Sequence, residues 1–304
     1  MDYQKIIEKI YDEVKPLIEK GIVADYIPAL AKTPANKFAM TVSTVNGEEF
    51  CVGDVDDNFS IQSISKVFTL TIAMNMIGDD LWKRVGREPS GNSFNSLVQL
   101  EYENGIPRNP FINAGAIVVS DAIFEGRGKT KNKILQFVRE ISGNNTLSFD
   151  EEVAESERIF GNKNRAMANF IKSFNNLNNL ADDVLDIYFH QCSICMNTKD
   201  LAHSFLFLAN KGINPKTGDI ILGTRKTKRM NSLMLTCGLY DAVGDFAYRV
   251  GLPGKSGVGG GIVAVVPGEL SVAVWSPGLN KYGNSLAGTK ALELFTTYAN
   301  NSIF

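Results

Sequence analysis

Apolar and polar residues alternate in two ways along the chain, with strand-like periods near both ends and helical periods between them. The first segment, from about Asp2 to Lys20, has apolar residues at helical spacing, and we expect Pro16 to bend it and Gly21 to end it. Two alternating runs then flank Asn46-Gly47, a pair that tolerates positive φ at both turn positions. This pattern predicts two antiparallel strands joined by a type I′ turn.

The middle of the chain, from about 62 to 239, has the apolar spacing of helices. The predicted helices are Ser63 to Ile77, Asn113 to Phe124, Lys131 to Ile141, Asp150 to Phe160, Arg165 to Phe174, Asp182 to Gln191, Lys199 to Asn210 and Thr227 to Thr236. A further helix near Asp241 to Arg249 precedes a glycine-rich loop. Two strands, GIVAVV and LSVAVW, follow around a Pro267-Gly268 turn, and a last helix runs from about Ser285 to Asn300, with Ser285 as its N-cap.

Strands at both ends and helices between them predict an α+β fold, in which an antiparallel sheet from both termini is flanked by helices and a helical subdomain is inserted. We therefore expect residues 1–304 to form one discontinuous catalytic domain. Its sheet subdomain would comprise about 1–61 and 240–304, and its helical subdomain about 62–239.

The charges nearly cancel, with 31 Lys+Arg against 33 Asp+Glu, which argues against a nucleic-acid partner. The basic run 127–133 is short and predicts a solvated loop. No stretch reaches the roughly 18 to 20 apolar residues of a membrane span, and the acidic first helix is unlike a signal peptide. Four scattered cysteines suit a reducing compartment. We expect a cytoplasmic protein with no membrane partner.

The strongest local motif is Ser63-x-x-Lys66, the one S-x-x-K of the chain, at the start of a very apolar helix. A spacing of three places both side chains on one helical face. A serine needs a base at hydrogen-bonding distance to act as a nucleophile, and lysine is a base only when it is neutral. Burial would lower the pKa of Lys66 from about 10.4 towards the working range. Penicillin-recognising serine enzymes carry S-x-x-K in this context.

A Lys-Ser/Thr-Gly segment on a bordering strand would support this site, and the chain has two. Lys216-Thr217-Gly218 lies between helices and predicts a surface turn. Lys255-Ser256-Gly257 leads into a strand, where the following glycines would let the backbone approach a substrate and stabilise an oxyanion. A tight turn before the strand is the alternative. Cys192-x-x-Cys195 with His190 lacks a second ligand pair, so we predict no metal site.

Several long, ordered motifs together resemble the serine-dependent glutaminases, the bacterial form of a family that includes the animal kidney-type and liver-type enzymes. The similarity extends from about Ala24 to Trp275. The motifs are YIPAL, IQSISKVF, NGIPRNPFINAGAIVVSD, ESER, GNKNRAMA and GKSGVGGGIVAVVPGELSVAVWSP. The resemblance implies a β-lactamase/DD-peptidase-like catalytic domain that hydrolyses L-glutamine to L-glutamate and ammonia without a cofactor. It also implies a homo-oligomer, either a dimer or a tetramer.

Position by position, the resemblance makes Ser63 the nucleophile and Lys66 its base. The substrate contacts that it implies are Tyr26, Ser63, Asn113, Glu157, Asn164, Tyr188, Tyr240 and the backbone of Val258. These residue types suit a zwitterion, because Glu157 can bind the α-ammonium while amides and tyrosine hydroxyls donate to the α-carboxylate. Taken from the residues alone, Asn113 is also explained as a helix cap, Glu157 as a solvated acid and Tyr188 as a core residue.

The expected mechanism is acyl transfer. Ser63 attacks the side-chain carboxamide while Lys66 accepts its proton, and the N–H groups of Ser63 and Val258 hold the oxyanion. Tyr240 is the candidate to protonate the leaving ammonia, with Lys66 as its rival. Two alternatives stay open: a penicillin-binding or β-lactam-hydrolysing serine enzyme that uses the same pair, and a glutamine-sensing scaffold without turnover.

Overall fold

The computed structural model describes residues 1–90 and 97–304. Its helices are α1 (Tyr3–Val14), α2 (Pro28–Ala31), α3 (Lys66–Met76), α4 (Val98–Tyr102), α5 (Asn113–Ala122), α6 (Arg127–Ser142), α7 (Glu151–Phe160), α8 (Asn162–Ser173), α9 (Ala181–Cys192), α10 (Thr198–Ala209), α11 (Thr224–Cys237), α12 (Val243–Arg249) and α13 (Leu286–Ala299). Its strands are β1 (Ala39–Thr44), β2 (Glu49–Gly53), β3 (Phe59–Ser60), β4 (Ser148–Phe149), β5 (Ile194–Met196), β6 (Gly254–Ser256), β7 (Gly261–Val266) and β8 (Leu270–Trp275). Short 3-10 helices occupy Lys15–Leu17, Gln62–Ser65, Gly78–Lys83 and Tyr240–Ala242.

The main sheet joins the two ends of the chain, as the sequence pattern predicts. Its strand order is β2-β1-β8-β7-β6, and every neighbouring pair is antiparallel. The N-terminal strand β1 pairs with the C-terminal strand β8 over six positions, from Ala39 opposite Trp275 to Thr44 opposite Leu270. The α+β arrangement is therefore confirmed, whereas the division into subdomains stays a prediction.

The main sheet separates two apolar cores, because alternate residues of its central strands point to opposite faces. On β7, Ile262 and Ala264 pack with residues of α1 and α13, whereas Val263 and Val265 belong to the core formed with the helical middle of the chain. All six residues of β7 are buried. The strand β6 forms one edge of this sheet and contacts the 3-10 helix Gln62–Ser65.

The hairpin between β1 and β2 forms, but the predicted type I′ turn is wrong. Only Gly47 of the Asn46-Gly47 pair has positive φ, at 90°. The N–H of Thr44 donates to the carbonyl of Glu48 over 2.9 Å, which closes a three-residue loop. In such loops a type I turn is followed by one left-handed residue, so a single glycine suffices.

Two further expectations near the helices need correction. The first helix ends at Val14 instead of continuing to about Lys20, and the chain continues as the 3-10 helix Lys15–Leu17, with Pro16 inside it. The basic run 127–133 forms the start of α6 and is not a loop. Ion pairs of Arg127 with Asp183 and of Lys133 with Glu125 balance its charge.

Several short elements carry no periodic signal, and the sequence analysis missed them. A small sheet of order β3-β5-β4 joins the segment before Ser63 to the end of α9. The predicted helices of the middle region all occur with ends shifted by a few residues, and Ser285 caps α13 by accepting from the N–H of Gly288. None of the helices in 1–90 and 97–304 combines the length and apolar character of a membrane span.

Candidate active site

Ser63 lies in a strained turn between β3 and α3. The preceding residue, Gln62, has φ of 49°, a conformation that non-glycine residues rarely adopt. Hydrogen bonds hold this turn, since the hydroxyl of Ser65 donates to the Gln62 carbonyl over 2.7 Å and the Gln62 amide donates to the Ser60 hydroxyl over 2.9 Å. Strained backbone of this kind persists where its surroundings fix it, and it often marks functional sites.

The glycine-rich loop after β6 packs directly against the backbone that leads to Ser63. A Cβ at Gly257 would lie 2.4 Å from the Ile61 carbonyl oxygen, and one at Gly259 would lie 2.2 Å from the carbonyl oxygen of Ser60. Any side chain at these two positions would push the segments apart. The glycines therefore hold Val258 against the turn that carries Ser63, and the predicted bordering strand is β6, which contains Lys255 and Ser256.

A cavity of about 400 Å³ opens beside Ser63. All the substrate contacts that the resemblance implies line it, namely Tyr26, Ser63, Asn113, Glu157, Asn164, Tyr188, Tyr240 and Val258. Tyr26 is 54% exposed, whereas Ser63, Glu157 and Tyr188 are buried. Widely separated segments of the chain thus bring the implied residues together around one space of ligand size.

Lys66 is buried behind this wall and does not line the cavity itself. Its amine donates to the Phe111 carbonyl over 3.0 Å and to the Oδ1 of Asn113 over 2.7 Å. Burial lowers the pKa of Lys66 to about 8, although Cys192 and Glu157 act in the opposite direction. A neutral amine is therefore accessible at a working pH near 8, as a base requires.

Tyr240 connects Ser63 with the strand β6. Its backbone is also left-handed, with φ of 50°. Burial raises the pKa of Tyr240 above its ordinary value, while hydrogen bonding to Ser63 and Ser256 opposes that rise. The phenol therefore keeps its proton at neutral pH and lies where it could exchange a proton with the serine.

Glu157 supplies the buried carboxylate of the cavity. Burial raises its pKa to about 7, and the positive charge of Lys66 acts against that rise. Nearby, the amide of Asn113 donates to the Oδ1 of Asn164 over 3.1 Å, which orients both side chains. Because the charged form of a buried carboxylate is poorly solvated, an ammonium ligand would stabilise it.

Sequence reasoning missed two buried groups of the site, Lys255 and Cys192. It identified the Lys-Ser-Gly motif but gave the Lys255 side chain no role, although the amine is buried within 4.8 Å of the Tyr240 ring centre. Cys192 lines the cavity, and burial raises the pKa of its thiol to about 12. Its spacing of four from Tyr188 on α9 is the signal that could have placed it there.

The remaining motifs lie elsewhere. Lys216-Thr217-Gly218 forms an exposed turn, as predicted. Cys195 is in the small sheet, where it pairs with Ser60, and His190 contacts Asp186 on the surface of α9. Across 1–90 and 97–304 no three histidine, cysteine or acidic side chains are grouped closely enough to hold a metal ion. The cavity is thus equipped for nucleophilic attack, proton transfer and binding of a zwitterion.

Comparisons with known proteins agree with this geometry. The family model described as Glutaminase matches residues 21–304. A glutaminase of Aliarcobacter butzleri (strain RM4018) is 58% identical over 305 residues, covering 100% of both chains.

Solved structures give the same result. A probable glutaminase of Bacillus subtilis superposes with a TM-score of 0.93 and 30% identity, covering 100% of this chain and 98% of the other. A probable glutaminase from Bacillus subtilis in complex with 6-diazo-5-oxo-L-norleucine superposes with a TM-score of 0.89 and 31% identity. The match covers 97% of this chain and 94% of the other.

Proposed function

Because this chain belongs to the glutaminase family, we propose that its cavity hydrolyses L-glutamine to L-glutamate and ammonia by acyl transfer through Ser63. The observation that carries this proposal is the placement of Ser63, Tyr240 and Glu157 around one cavity, with the buried amine of Lys66 in contact with Asn113 of the same cavity. The glutaminase name of the relatives supports the substrate.

In the proposed first half-reaction, the Ser63 oxygen forms a bond to the side-chain carbonyl carbon of glutamine while Lys66 takes the hydroxyl proton. The negative charge that develops on the carbonyl oxygen is held by the N–H groups of Ser63 and Val258. The close packing of the Gly257 and Gly259 backbones on residues 60–61 supports this pairing, because it fixes Val258 relative to Ser63.

The tetrahedral intermediate then expels ammonia, whose nitrogen must be protonated first. We assign this proton transfer to Tyr240, because it lines the same cavity as Ser63 and Ser63 lowers the pKa of its phenol against the effect of burial, with Lys66 as the alternative donor. Water subsequently attacks the glutamyl ester, Ser63 recovers its proton and L-glutamate leaves. The sequence of steps uses only side-chain and backbone groups and needs no metal or organic cofactor.

The substrate assignments follow the charges of glutamine. Glu157 would bind the α-ammonium, and the amides of Asn113 and Asn164 with the hydroxyls of Tyr26 and Tyr188 would bind the α-carboxylate. Tyr26 would lie at the mouth, since about half of it is exposed. The comparisons do not favour the alternative of a β-lactam-processing enzyme.

We further propose a β-lactamase/DD-peptidase-like relationship, supported by the S-x-x-K turn beside an antiparallel edge strand with Lys-Ser-Gly. We also propose one discontinuous domain and a homo-oligomer, either a dimer or a tetramer. A cytoplasmic location is consistent with four unpaired thiols.

An ammonia-release assay over a substrate panel tests the function. Glutamine, asparagine and γ-glutamyl amides are compared, with Ser63→Ala as the blank. We expect glutamine to be preferred, because the missing methylene of asparagine moves its carboxamide away from Ser63. Equal turnover of glutamine in wild type and the blank would contradict the proposal.

A further inference from the structure

Two buried lysines face the same small region of the active site. Lys255 is 0% exposed and Lys66 is 1% exposed. The Lys255 amine donates to the Ser256 carbonyl over 2.6 Å, and it lies 4.8 Å from the ring centre of Tyr240 and 5.9 Å from that of Phe111. The Phe111 carbonyl accepts from the Lys66 amine, so Phe111 contacts both lysines.

The two amines lack a carboxylate partner of their own. Within 1–90 and 97–304, neither Lys66 nor Lys255 forms an ion pair, and their hydrogen bonds go to neutral oxygens. Burial lowers the pKa of Lys255 well below its ordinary value, and the neighbouring Lys66 lowers it further. Protonating both buried amines at once is disfavoured, because Glu157 is the carboxylate that acts on Lys66 and no carboxylate is among the causes that shift the pKa of Lys255, so we treat the pair as holding one proton.

Most of the other titratable groups around the pair are neutral. Tyr240, and Tyr188 and Cys192 from α9, keep their protons because burial raises the pKa of each. Cys237, at the end of α11, is likewise neutral because burial raises its pKa, and the adjacent strand β7 has no titratable side chain. Asp241, beside Tyr240, is exposed, whereas the carboxylate of Glu157 raises the pKa of Lys66 and so favours the proton there.

We propose that Lys255 is a second position for the single proton of this lysine pair and thereby keeps part of the Lys66 population neutral and able to act as the base. When the proton moves, one N–H bond breaks at Lys66 and one forms at Lys255, so the charge of the site stays at plus one. The Tyr240 ring face stabilises the proton on Lys255. Lys255 is therefore a positioning residue, since it acts through Lys66. This inference rests on the proposed role of Lys66.

The consequence is that the pH profile of the activity falls less steeply on its acid side than it would with one lysine. A solitary lysine base loses a factor of about ten in neutral population for each pH unit below its pKa. In a pair that shares one proton, the fraction of molecules with Lys66 neutral levels off at low pH, because protonation of Lys255 prevents protonation of Lys66. Lys255 would thus preserve activity on the acid side without lining the cavity.

The test is the ratio of kcat/KM between wild type and Lys255→Met, measured with glutamine from pH 5 to 9. Because Glu157 is present in both proteins, the effect of its titration on kcat/KM cancels in this ratio. We expect the ratio to rise as the pH falls, approaching about tenfold per unit at the acid end. A ratio independent of pH, or one that falls towards low pH, would overturn the proposal.

Two further variants separate this role from a structural one. Lys255→Gln can still donate to the Ser256 carbonyl, so it should restore any lost stability but show the same acid-side loss as the methionine variant. Lys216→Met, in the exposed Lys-Thr-Gly turn, should match wild type at every pH. If Lys255→Gln recovers the wild-type profile, the role is structural and the proposal is wrong.

If neither Lys255 variant shows a native circular-dichroism spectrum, the wild-type kcat at saturating glutamine decides. A levelling of log kcat at low pH supports the shared proton, and a constant slope of one contradicts it. Failure of the proposed function would differ from failure of this inference. Ser63→Ala retaining turnover defeats the former, whereas an inactive Ser63→Ala with a constant ratio defeats the latter alone.

Discussion

Two regions of the molecule bury charged side chains, and they satisfy them in opposite ways. Around Asp121, which we call the Asp121 cluster, the carboxylate pairs with Arg84 and accepts from the N–H groups of Asn178 and Asn179 over 3.0 and 2.8 Å. Arg84 also donates to the Asn176 carbonyl over 2.9 Å. Every charge in this cluster has an opposite charge beside it.

Lys66, Lys255 and Glu157 are buried in or beside the cavity of the proposed active site, and within 1–90 and 97–304 none of them forms an ion pair. Burial brings the pKa of Lys66 down to about 8 and that of Glu157 up to about 7. The difference teaches that paired charges hold the fold together, whereas charges left without a close partner titrate near neutrality and remain available for substrate and protons.

The largest expected effect is the loss of activity in Ser63→Ala. Removing the proposed nucleophile should lower kcat by about 10⁴-fold or more, because the acyl-enzyme of the proposed mechanism forms on the Ser63 oxygen. The melting temperature should stay close to wild type, since the Ser63 hydroxyl is not part of a charged network. Ser232→Ala, an exposed serine on α11, is the control. If the variant lost its melting transition together with its activity, Ser63 would be needed for folding, which would contradict this prediction.

The Asp121 cluster should respond in the opposite sense. Asp121→Asn leaves the charge of Arg84 without its partner, which should lower the free energy of unfolding by about 3 to 5 kcal/mol. Chemical denaturation measures this change. Ammonia release per folded molecule, measured well below the melting temperature, should be preserved. An unchanged unfolding midpoint with lost activity would place Asp121 in the catalytic machinery instead.

A smaller effect is expected in Glu157→Gln. Losing one charge-assisted contact to the α-ammonium should raise the KM for glutamine roughly 10- to 100-fold. In wild type, the raised pKa of about 7 means that Glu157 gains a proton as the pH falls below 7, so KM should rise there. The variant should lack this rise, which steady-state kinetics from pH 5 to 9 would detect. A KM profile of the variant that parallels wild type would assign the titration to another group.

The smallest effect belongs to an exposed pair. Arg229 and Asp79 lie 3.2 Å apart, but their side chains are 45% and 68% exposed. Arg229→Ala should change the free energy of unfolding by less than about 1 kcal/mol, and added salt should reduce even that. A loss comparable to that of Asp121→Asn would mean that burial does not explain the difference between the pairs.

The sequence predicts the parts of this contrast that depend on local spacing. The apolar runs GIVAVV and LSVAVW around a Pro-Gly turn identify β7 and β8, and the spacing of Ser63 and Lys66 identifies the turn that carries the proposed nucleophile. The family resemblance brings in Glu157 and Tyr188, which spacing alone explains equally well as surface and core residues. All of these residues then prove to surround one cavity or to contact its wall.

The rest could not be predicted because it depends on distant parts of the chain. The Asp121 cluster joins Asp121 on α5 to Arg84 and Asn178, which lie 37 and 57 positions away in segments without periodicity. Strands of two or three residues, such as β3 and β4, are too short to show alternation. The burial of Lys255 depends on the packing of Tyr240 and Phe111 over it, which no local pattern records.

The most direct test of the account is the site of covalent labelling by 6-diazo-5-oxo-L-norleucine, an electrophilic analogue of glutamine. Peptide mass spectrometry should find the label on Ser63, with excess glutamine protecting it and Lys66→Met slowing it strongly. A label on Cys192, on a tyrosine of the cavity or on any other side chain would contradict Ser63 as the nucleophile.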